Sequence, residues 1–221
     1  MLLRIISDRH MKPARKSRYF LQLAFICTGF NYITGGLIMP SQGTKFPPLE
    51  ITRQPVITAS PDVLDAVELR DGFKLPQSYR DFAQHFGYGL LCNLFIIYIP
   101  KEGGDDLIKR NATLTKVIRE GVENDYFDYE PDGTPELALA LIPFGISENG
   151  DILAWNPNES SGPDEYFIYL IGYKLGSIKR AAPNLYVFVE SCLDNSIAKL
   201  IGAATQLIRP TFRPHQDPPS K

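Results

Sequence analysis

The chain has 221 residues, of which 44% are hydrophobic and 22% charged, values that exclude a wholly disordered protein. Its net charge is −2, yet residues 1–40 hold six basic side chains and one acidic one, which leaves 17 basic against 24 acidic residues in the remainder. An acidic body repels phosphate groups, so the composition argues against nucleic acid and favours a basic protein as partner.

The N-terminal segment joins a basic stretch to an apolar run over residues 19–39. Polar residues such as Gln22 and Asn31, together with Gly35, interrupt that run. They argue against its identification as a signal peptide or a membrane anchor. We expect a non-folding leader, or translation that starts at Met39. A membrane anchor and a segment packed on the domain stay open as alternatives.

Prolines mark both ends of the body. They predict an extended lead-in before residue 60 and a mobile tail after residue 208. The predicted organisation is therefore a poorly ordered leader and lead-in over 1–59, one domain over 60–208 and a proline-rich tail over 209–221.

The first half of the body carries three helix signals. Ser60 before Pro61 predicts the first helix. A second follows Pro76, because apolar residues recur there with helical spacing at Tyr79, Phe82, Ala83 and Phe86. The apolar run over 89–100 predicts one strand covered on both faces. Asp105 or Asp106 then caps a third helix that extends to about residue 122.

The second half is rich in strand signals. Acidic and aromatic residues alternate over 124–133 and predict a loop. A strand over 138–144, an Asn149-Gly150 hairpin turn and a returning strand over 151–155 follow. The remaining predictions are a polar turn over 158–164, a strand over 165–173, a helix over 184–195 and a further helix through Ile208. Helices at both ends of a strand-rich centre predict an α+β fold.

Reactive side chains are sparse and scattered. Of the three histidines, His10 and His215 lie in the leader and tail, which leaves His85 as the only histidine of the body. The body therefore offers a single histidine that could activate a serine or cysteine nucleophile, which argues against this kind of catalysis. The three cysteines form no CxxC pair, so we expect no zinc site, no disulfide framework and no cofactor. Buried free cysteines suit a reducing compartment, and we predict a cytoplasmic protein.

The candidate working surface combines carboxylates with aromatic side chains. Acidic groups steer a basic partner, while tyrosine and tryptophan anchor it at a small entropic cost. The predicted partner-binding residues are Asp125, Tyr126, Asp128, Tyr129, Glu130, Glu148, Asp151 and Trp155. The alternative is that the loop is merely solvated, with its aromatic residues covering the sheet and Trp155 inside the core.

Two sequence blocks resemble the SUKH superfamily, which includes many bacterial immunity proteins and the yeast Smi–Knr cell-wall regulator. The first block is a leucine–proline followed by a Tyr-x-x-Phe helix and a glycine break, at Leu75, Pro76, Tyr79, Phe82, Phe86, Gly87, Tyr88 and Gly89. The second is a phenylalanine–glycine followed by a Gly-Asp turn and an apolar strand, at Ile142, Pro143, Phe144, Gly145, Asn149, Gly150, Asp151, Ile152 and Trp155. The apolar strand over 166–171 and the C-terminal helix with Phe188 and Cys192 extend the resemblance to about residues 60–200.

This resemblance implies a mainly antiparallel sheet with helices packed on one side and no known catalytic apparatus. It also implies an immunity protein that binds a cognate toxin domain and occludes its active surface, and the acidic body predicts that this domain is basic. A regulatory or scaffold module of the yeast type is the first alternative. The second is a hydrolase with carboxylate chemistry, which requires Asp105, Asp106 and Asp151 to converge in space.

Overall fold

The computed structural model describes residues 44–55, 57–202 and 208–215. The leader over 1–43, with its anchor alternative and the Met39 start, lies outside them, as do parts of the predicted last helix and of the tail. The elements in chain order are β1 (Glu50–Ile51), α1 (Pro61–Asp65), α2 (Gln77–His85), β2 (Gly89–Leu91), β3 (Phe95–Ile97), α3 (Leu107–Glu123), α4 (Pro135–Ala140), β4 (Ile142–Ser147), β5 (Ile152–Gly162), β6 (Glu165–Ile171), a 3₁₀ turn (Tyr173–Leu175), β7 (Ile178–Ala182), α5 (Leu185–Leu193), α6 (Ser196–Ile201) and β8 (Thr211–Pro214).

One sheet holds the eight strands of the described residues, in the order β1-β8-β2-β3-β4-β5-β6-β7. All neighbouring pairs are antiparallel except β1 and β8, which run parallel. The prediction of an α+β fold with a mainly antiparallel sheet is confirmed. None of the helices in the three described ranges combines the length and apolar character needed to cross a membrane.

Several helix starts lie where the local sequence predicts them. The Ser60 side chain accepts a hydrogen bond from the Val63 amide at 3.4 Å and caps α1. Asp106 does the same for α3, because its carboxylate accepts from the Lys109 amide at 3.1 Å. Asn184 caps α5 through the Val187 amide at 3.0 Å. Each side chain satisfies an amide that has no partner within its helix.

The apolar run over 89–100 is a hairpin, and the prediction of a single strand is wrong there. β2 and β3 pair antiparallel across a tight turn at Cys92 and Asn93, whose φ values are 51° and 58°. Positive φ at both central residues is typical of a type I′ turn. Asparagine tolerates that backbone conformation, but cysteine gives no turn signal, so the hydrophobic pattern hides the reversal.

The strand predicted over 138–144 is also only partly correct. The Thr134 hydroxyl caps α4 by accepting from the Leu137 amide at 3.1 Å, and Pro135 occupies the first helical turn. The strand therefore begins only at Ile142. The polar turn predicted over 158–164 is shorter than expected, because β5 continues through Gly162.

Three strands have no counterpart among the predictions: β1, which lies in the lead-in predicted to be poorly ordered, β7 and β8. β7 is an edge strand of the sheet and lacks an alternating apolar pattern. β8 lies in the segment predicted to be a mobile tail, and that prediction is wrong for its four residues. They pair with both β1 and β2, and the buried Phe212 packs edge-on against Phe82 at 5.6 Å. Pairing on both sides outweighs the local bias of the flanking prolines.

Aromatic side chains fill the core between α2 and the sheet. The Trp155 ring is 1% exposed and stacks on Phe144, with ring centroids 4.1 Å apart. Tyr79 meets the same indole edge-on at 5.0 Å. The Tyr79 hydroxyl donates to the Tyr98 carbonyl at 2.7 Å, which joins α2 to the segment after β3. This packed core supports the sheet, and the loops project from the ends of that sheet.

Candidate protein-binding surface

Three connections meet at one end of the sheet: the α3–α4 loop, the β4–β5 turn and the 3₁₀ turn between β6 and β7. The Asp128 amide donates to the Leu175 carbonyl at 2.9 Å, which joins the loop to the 3₁₀ turn. The Tyr173 amide donates to Asp151 at 3.0 Å, which joins the 3₁₀ turn to the β4–β5 turn. A Cβ built on Gly150 would lie 2.9 Å from the Tyr173 ring, so only glycine leaves room for that contact.

The two exposed aromatic side chains of the described residues both lie here. The Tyr126 side chain is 74% exposed and Tyr173 is 59% exposed. Most tyrosines elsewhere in the described part of the chain are buried or half-buried. Exposed tyrosines offer a large contact area and lose little conformational freedom on binding, so they favour a role as anchors.

Exposed carboxylates surround the two tyrosines. Asp125, Asp128 and Glu130 come from the α3–α4 loop, and Glu148 comes from the β4–β5 turn. None of the four forms an ion pair with any residue that the structure describes. Their charges are therefore available to attract a basic surface. We call Asp125, Tyr126, Asp128, Glu130, Glu148 and Tyr173 the tyrosine–carboxylate end.

The backbone at this end is held in an uncommon conformation. Asp125, Lys174 and Leu175 have φ values of 56°, 55° and 59°, in the left-handed region that non-glycine residues rarely adopt. Such a conformation costs on the order of 1 kcal/mol or more per residue and persists where the surroundings fix it. Two of these residues adjoin the exposed tyrosines, so Tyr126 and Tyr173 are presented from a fixed backbone.

The loop is also fastened along the edge of the sheet. The Ile178 amide donates to the Glu130 carbonyl at 3.2 Å, and the Asp132 amide donates back to the Ile178 carbonyl at 3.0 Å. The Asp132 carboxylate accepts from the Arg180 amide at 2.9 Å. These bonds occupy the outer side of β7, so the loop covers a sheet edge and is ordered by it.

Tyr129 has a mixed position. Its ring is half-buried and stacks on Phe127, with centroids 5.0 Å apart and planes 7° from parallel. Burial raises the pKa of Tyr129, and the nearby Asp125 and Glu136 carboxylates raise it further. Tyr129 therefore supports the loop from below, while Tyr126 projects from it.

Two of the predicted binding residues lie inside the protein. Trp155 belongs to the core, and Asp151 is only 7% exposed. The Asp151 carboxylate accepts from the Ser147 hydroxyl at 2.6 Å and from the Tyr173 amide. In this structure neither side chain is exposed to a partner, since Trp155 fills the core and Asp151 closes a turn. Asp151 still matters indirectly, because it positions Tyr173.

Tyr173 is the surface residue that sequence reasoning missed. The strand predicted over 165–173 placed it at a strand end. The available signal was its position between Gly172 and Gly176, a spacing that favours a tight turn. The Lys174 ammonium lies 5.2 Å from the Tyr173 ring centroid, a cation–π contact at the edge of the same end.

The carboxylates of the hydrolase alternative have separate partners. Arg110 donates to Asp105 through both its Nε and its Nη2, and the Tyr88 hydroxyl donates to Asp105 at 3.0 Å. Hydrogen bonds from Arg110 hold the pKa of Asp105 below its usual value. Asp106 caps α3, whereas Asp151 lies in the β4–β5 turn. Among the described residues, no group of three or more histidine, cysteine, aspartate or glutamate side chains could hold a metal ion.

Comparisons with known proteins agree with the two sequence blocks. No curated protein and no solved structure gave a match. The model of the SMI1 / KNR4 family (SUKH-1) matches residues 58–191. That range runs from the start of α1 through most of α5 and includes every residue of the tyrosine–carboxylate end. Since the match covers more than half of the chain, this protein belongs to the SMI1 / KNR4 family (SUKH-1).

Proposed function

We propose that this chain is a non-enzymatic, cytoplasmic protein-binding domain, and that it acts as an immunity protein which neutralises a cognate toxin by covering its active surface. The observation that carries the proposal is the convergence of Tyr126 and Tyr173, the two exposed aromatic residues of the described chain, among carboxylates without ion pairs. Aromatic anchors are typical of the centre of a protein interface, and predominantly acidic surroundings steer a basic partner towards them.

The partner that fits this surface is a basic protein domain. Four exposed carboxylates accelerate the encounter with positive charge, and they disfavour phosphate-rich partners. A toxin that acts on nucleic acid needs a basic substrate-binding face. An acidic cover on that face blocks the substrate without any reaction by the immunity protein.

Growth rescue tests the proposal. The chain is expressed together with the toxin domain encoded by an adjacent gene, and we expect the wild type to restore growth. The double variant Tyr126→Ala/Tyr173→Ala should fold normally and fail to rescue. A matched control removes two exposed apolar side chains elsewhere, Val63→Ala and Ile108→Ala, and should rescue fully. Rescue by the tyrosine variant equal to that of wild type would contradict the proposed surface.

A regulatory or scaffold module, which the resemblance to the yeast Smi–Knr cell-wall regulator implies, is the second candidate. In that case the same end binds a stable housekeeping partner, and no toxin gene lies beside this one. Affinity capture with the wild type and with the double tyrosine variant separates the two functions. A partner that is not a toxin, and that is lost with the tyrosines, would favour the regulatory function over immunity.

A further inference from the structure

A pocket of about 270 Å³ opens between α3, α4 and the segment before α2. Its apolar lining consists of Ile118, Ala138, Leu139 and Leu141. Ile118 and Leu141 are buried, whereas the Leu139 side chain is 46% exposed at the rim. The volume is below the usual range for drug-sized ligands, about 300–1,000 Å³, and suits a small molecule.

Three polar residues, Arg70, Thr115 and Arg119, complete the lining. Arg70 donates to the carbonyl of Ala140 at 2.5 Å and to those of Leu139 and Leu141 at 3.4 Å each. It thereby satisfies carbonyls at the end of α4, which have no partners within the helix. These carbonyl acceptors are neutral dipoles, so they do not neutralise the positive charge of Arg70.

Neither arginine has a counter-ion among the residues that the structure describes. Within the described ranges, the ion pairs of the structure include no carboxylate bound to Arg70 or to Arg119. Burial lowers the pKa of Arg70, the direction expected for a cation removed from water without compensation. An anion placed between the two groups would gain charge-assisted hydrogen bonds.

The geometry points to a binding site for a small carboxylic acid with an apolar body. The carboxylate would lie at the rim between Arg70 and Arg119, and its aliphatic part would cover Ile118 and Leu141. This site is separate from the tyrosine–carboxylate end, and the inference does not depend on the proposed function.

Sodium hexanoate is a suitable probe, added to the ¹⁵N-labelled full chain at constant ionic strength and followed by amide chemical shifts. We expect saturable shifts centred on residues 115–119 and 138–141, with a Kd on the order of 1 mM for so small a ligand. Hexanol, which lacks the charge, should bind at least about tenfold more weakly. Acetate, which lacks the apolar body, should also bind at least about tenfold more weakly.

The variant Arg119→Gln tests the charge without disturbing the fold, because Arg119 is exposed and bonds to no other described side chain. We expect it to weaken hexanoate about tenfold. The control Lys116→Gln removes a neighbouring exposed charge of α3 that is outside the pocket lining, and should change the Kd less than about twofold. Arg70 is left intact, since three carbonyls depend on it.

Three results would overturn the inference. The first is that hexanoate leaves the amides of the pocket unshifted. The second is that hexanol binds as tightly as hexanoate, which would remove the role of the arginines. Equal affinities of the Arg119→Gln and Lys116→Gln variants would assign the effect to net charge rather than to this site.

Discussion

Two regions of this protein are built from the same residue types and behave in opposite ways. The tyrosine–carboxylate end exposes its tyrosines, and its carboxylates form no ion pair with the described residues. The other region, which we call the Tyr88 cluster, comprises Tyr88, Tyr98, Lys101, Asp105, Arg110 and His215. There Asp105 receives hydrogen bonds from Arg110 and Tyr88, and the Tyr88 ring stacks on His215 at 5.0 Å.

The difference lies in whether the polar groups already have partners inside the chain. In the Tyr88 cluster, Arg110 lies over the Tyr98 ring at 5.5 Å, and Lys101 lies over the Tyr88 ring at 4.8 Å. Those contacts join α3 and the loop before it to Tyr98 and Tyr88, which adjoin β3 and β2. At the tyrosine–carboxylate end, the backbone rather than the side chains makes the internal contacts. We therefore expect changes in the first region to affect stability and changes in the second to affect binding.

The largest expected effect is on partner affinity. Truncating Tyr126 and Tyr173 to alanine together should weaken binding at least about a hundredfold, because buried interface tyrosines are frequent hot spots. The midpoint of thermal unfolding should stay within about 2 °C, since both rings are largely solvent-exposed. Calorimetry with the purified partner and a thermal melt measure the two quantities. Loss of stability with unchanged affinity would contradict the account, because it would make Tyr126 and Tyr173 structural residues and not binding residues.

Charge reversal should act mainly on the rate of association. The double variant Asp125→Lys/Asp128→Lys should slow association about tenfold at low salt and flatten its dependence on ionic strength. Surface plasmon resonance across a salt series measures this. The control reverses two exposed carboxylates outside the tyrosine–carboxylate end, Asp62→Lys and Asp71→Lys, and has the same net charge. An equal effect of the control would show that the association rate depends on the net charge of the protein and not on the position of these carboxylates.

A change in the Tyr88 cluster should have the opposite profile. Asp105→Asn removes the carboxylate but keeps its size, and should lower the free energy of unfolding by about 1 kcal/mol, because the pair with Arg110 is partly exposed. Partner affinity should be unchanged. Urea unfolding monitored by the fluorescence of Trp155 provides the measurement. Weaker partner binding with full stability would place the working surface here instead.

The smallest expected effect is the pH dependence of that contribution. The pKa of Asp105 is lowered in the folded protein, so its stabilising effect is present above the pKa of the unfolded chain, about 3.9, and is lost as the pH falls through the folded value. The stability difference between wild type and Asp105→Asn should therefore shrink between about pH 5 and about pH 3. A difference that is constant over this range would show that the variant acts through packing alone.

Local signals were enough for part of this structure. Caps at Ser60 and Asp106, the apolar stripe of α2 and the Asn149-Gly150 turn each depend on neighbours within a few residues, and each is correctly predicted. The partners of β8 lie far away along the chain, so no local pattern could place that strand in the sheet. The cysteine–asparagine turn inside an apolar run reads as continuous strand for a different reason, because cysteine gives no turn signal.

In the candidate site, too, features set by the local sequence were predicted, and features set by the tertiary fold were not. The loop over 124–133 is acidic and aromatic by composition, and that observation locates most of the surface. Trp155 lies in the part of β5 that is buried on both faces, over 152–156, and Asp151 closes the turn before it; the local sequence reveals neither placement. The contribution of Tyr173 depends on the convergence of the 3₁₀ turn with two other connections, a property of the tertiary fold.

Hydrogen–deuterium exchange on the full chain, free and bound to the toxin domain encoded beside it, tests the central claim most directly. Our account predicts that binding slows exchange in residues 124–130, 148–150 and 172–176 and leaves the Tyr88 cluster unchanged. Protection confined to another face, with these three connections exchanging as in the free protein, would contradict it.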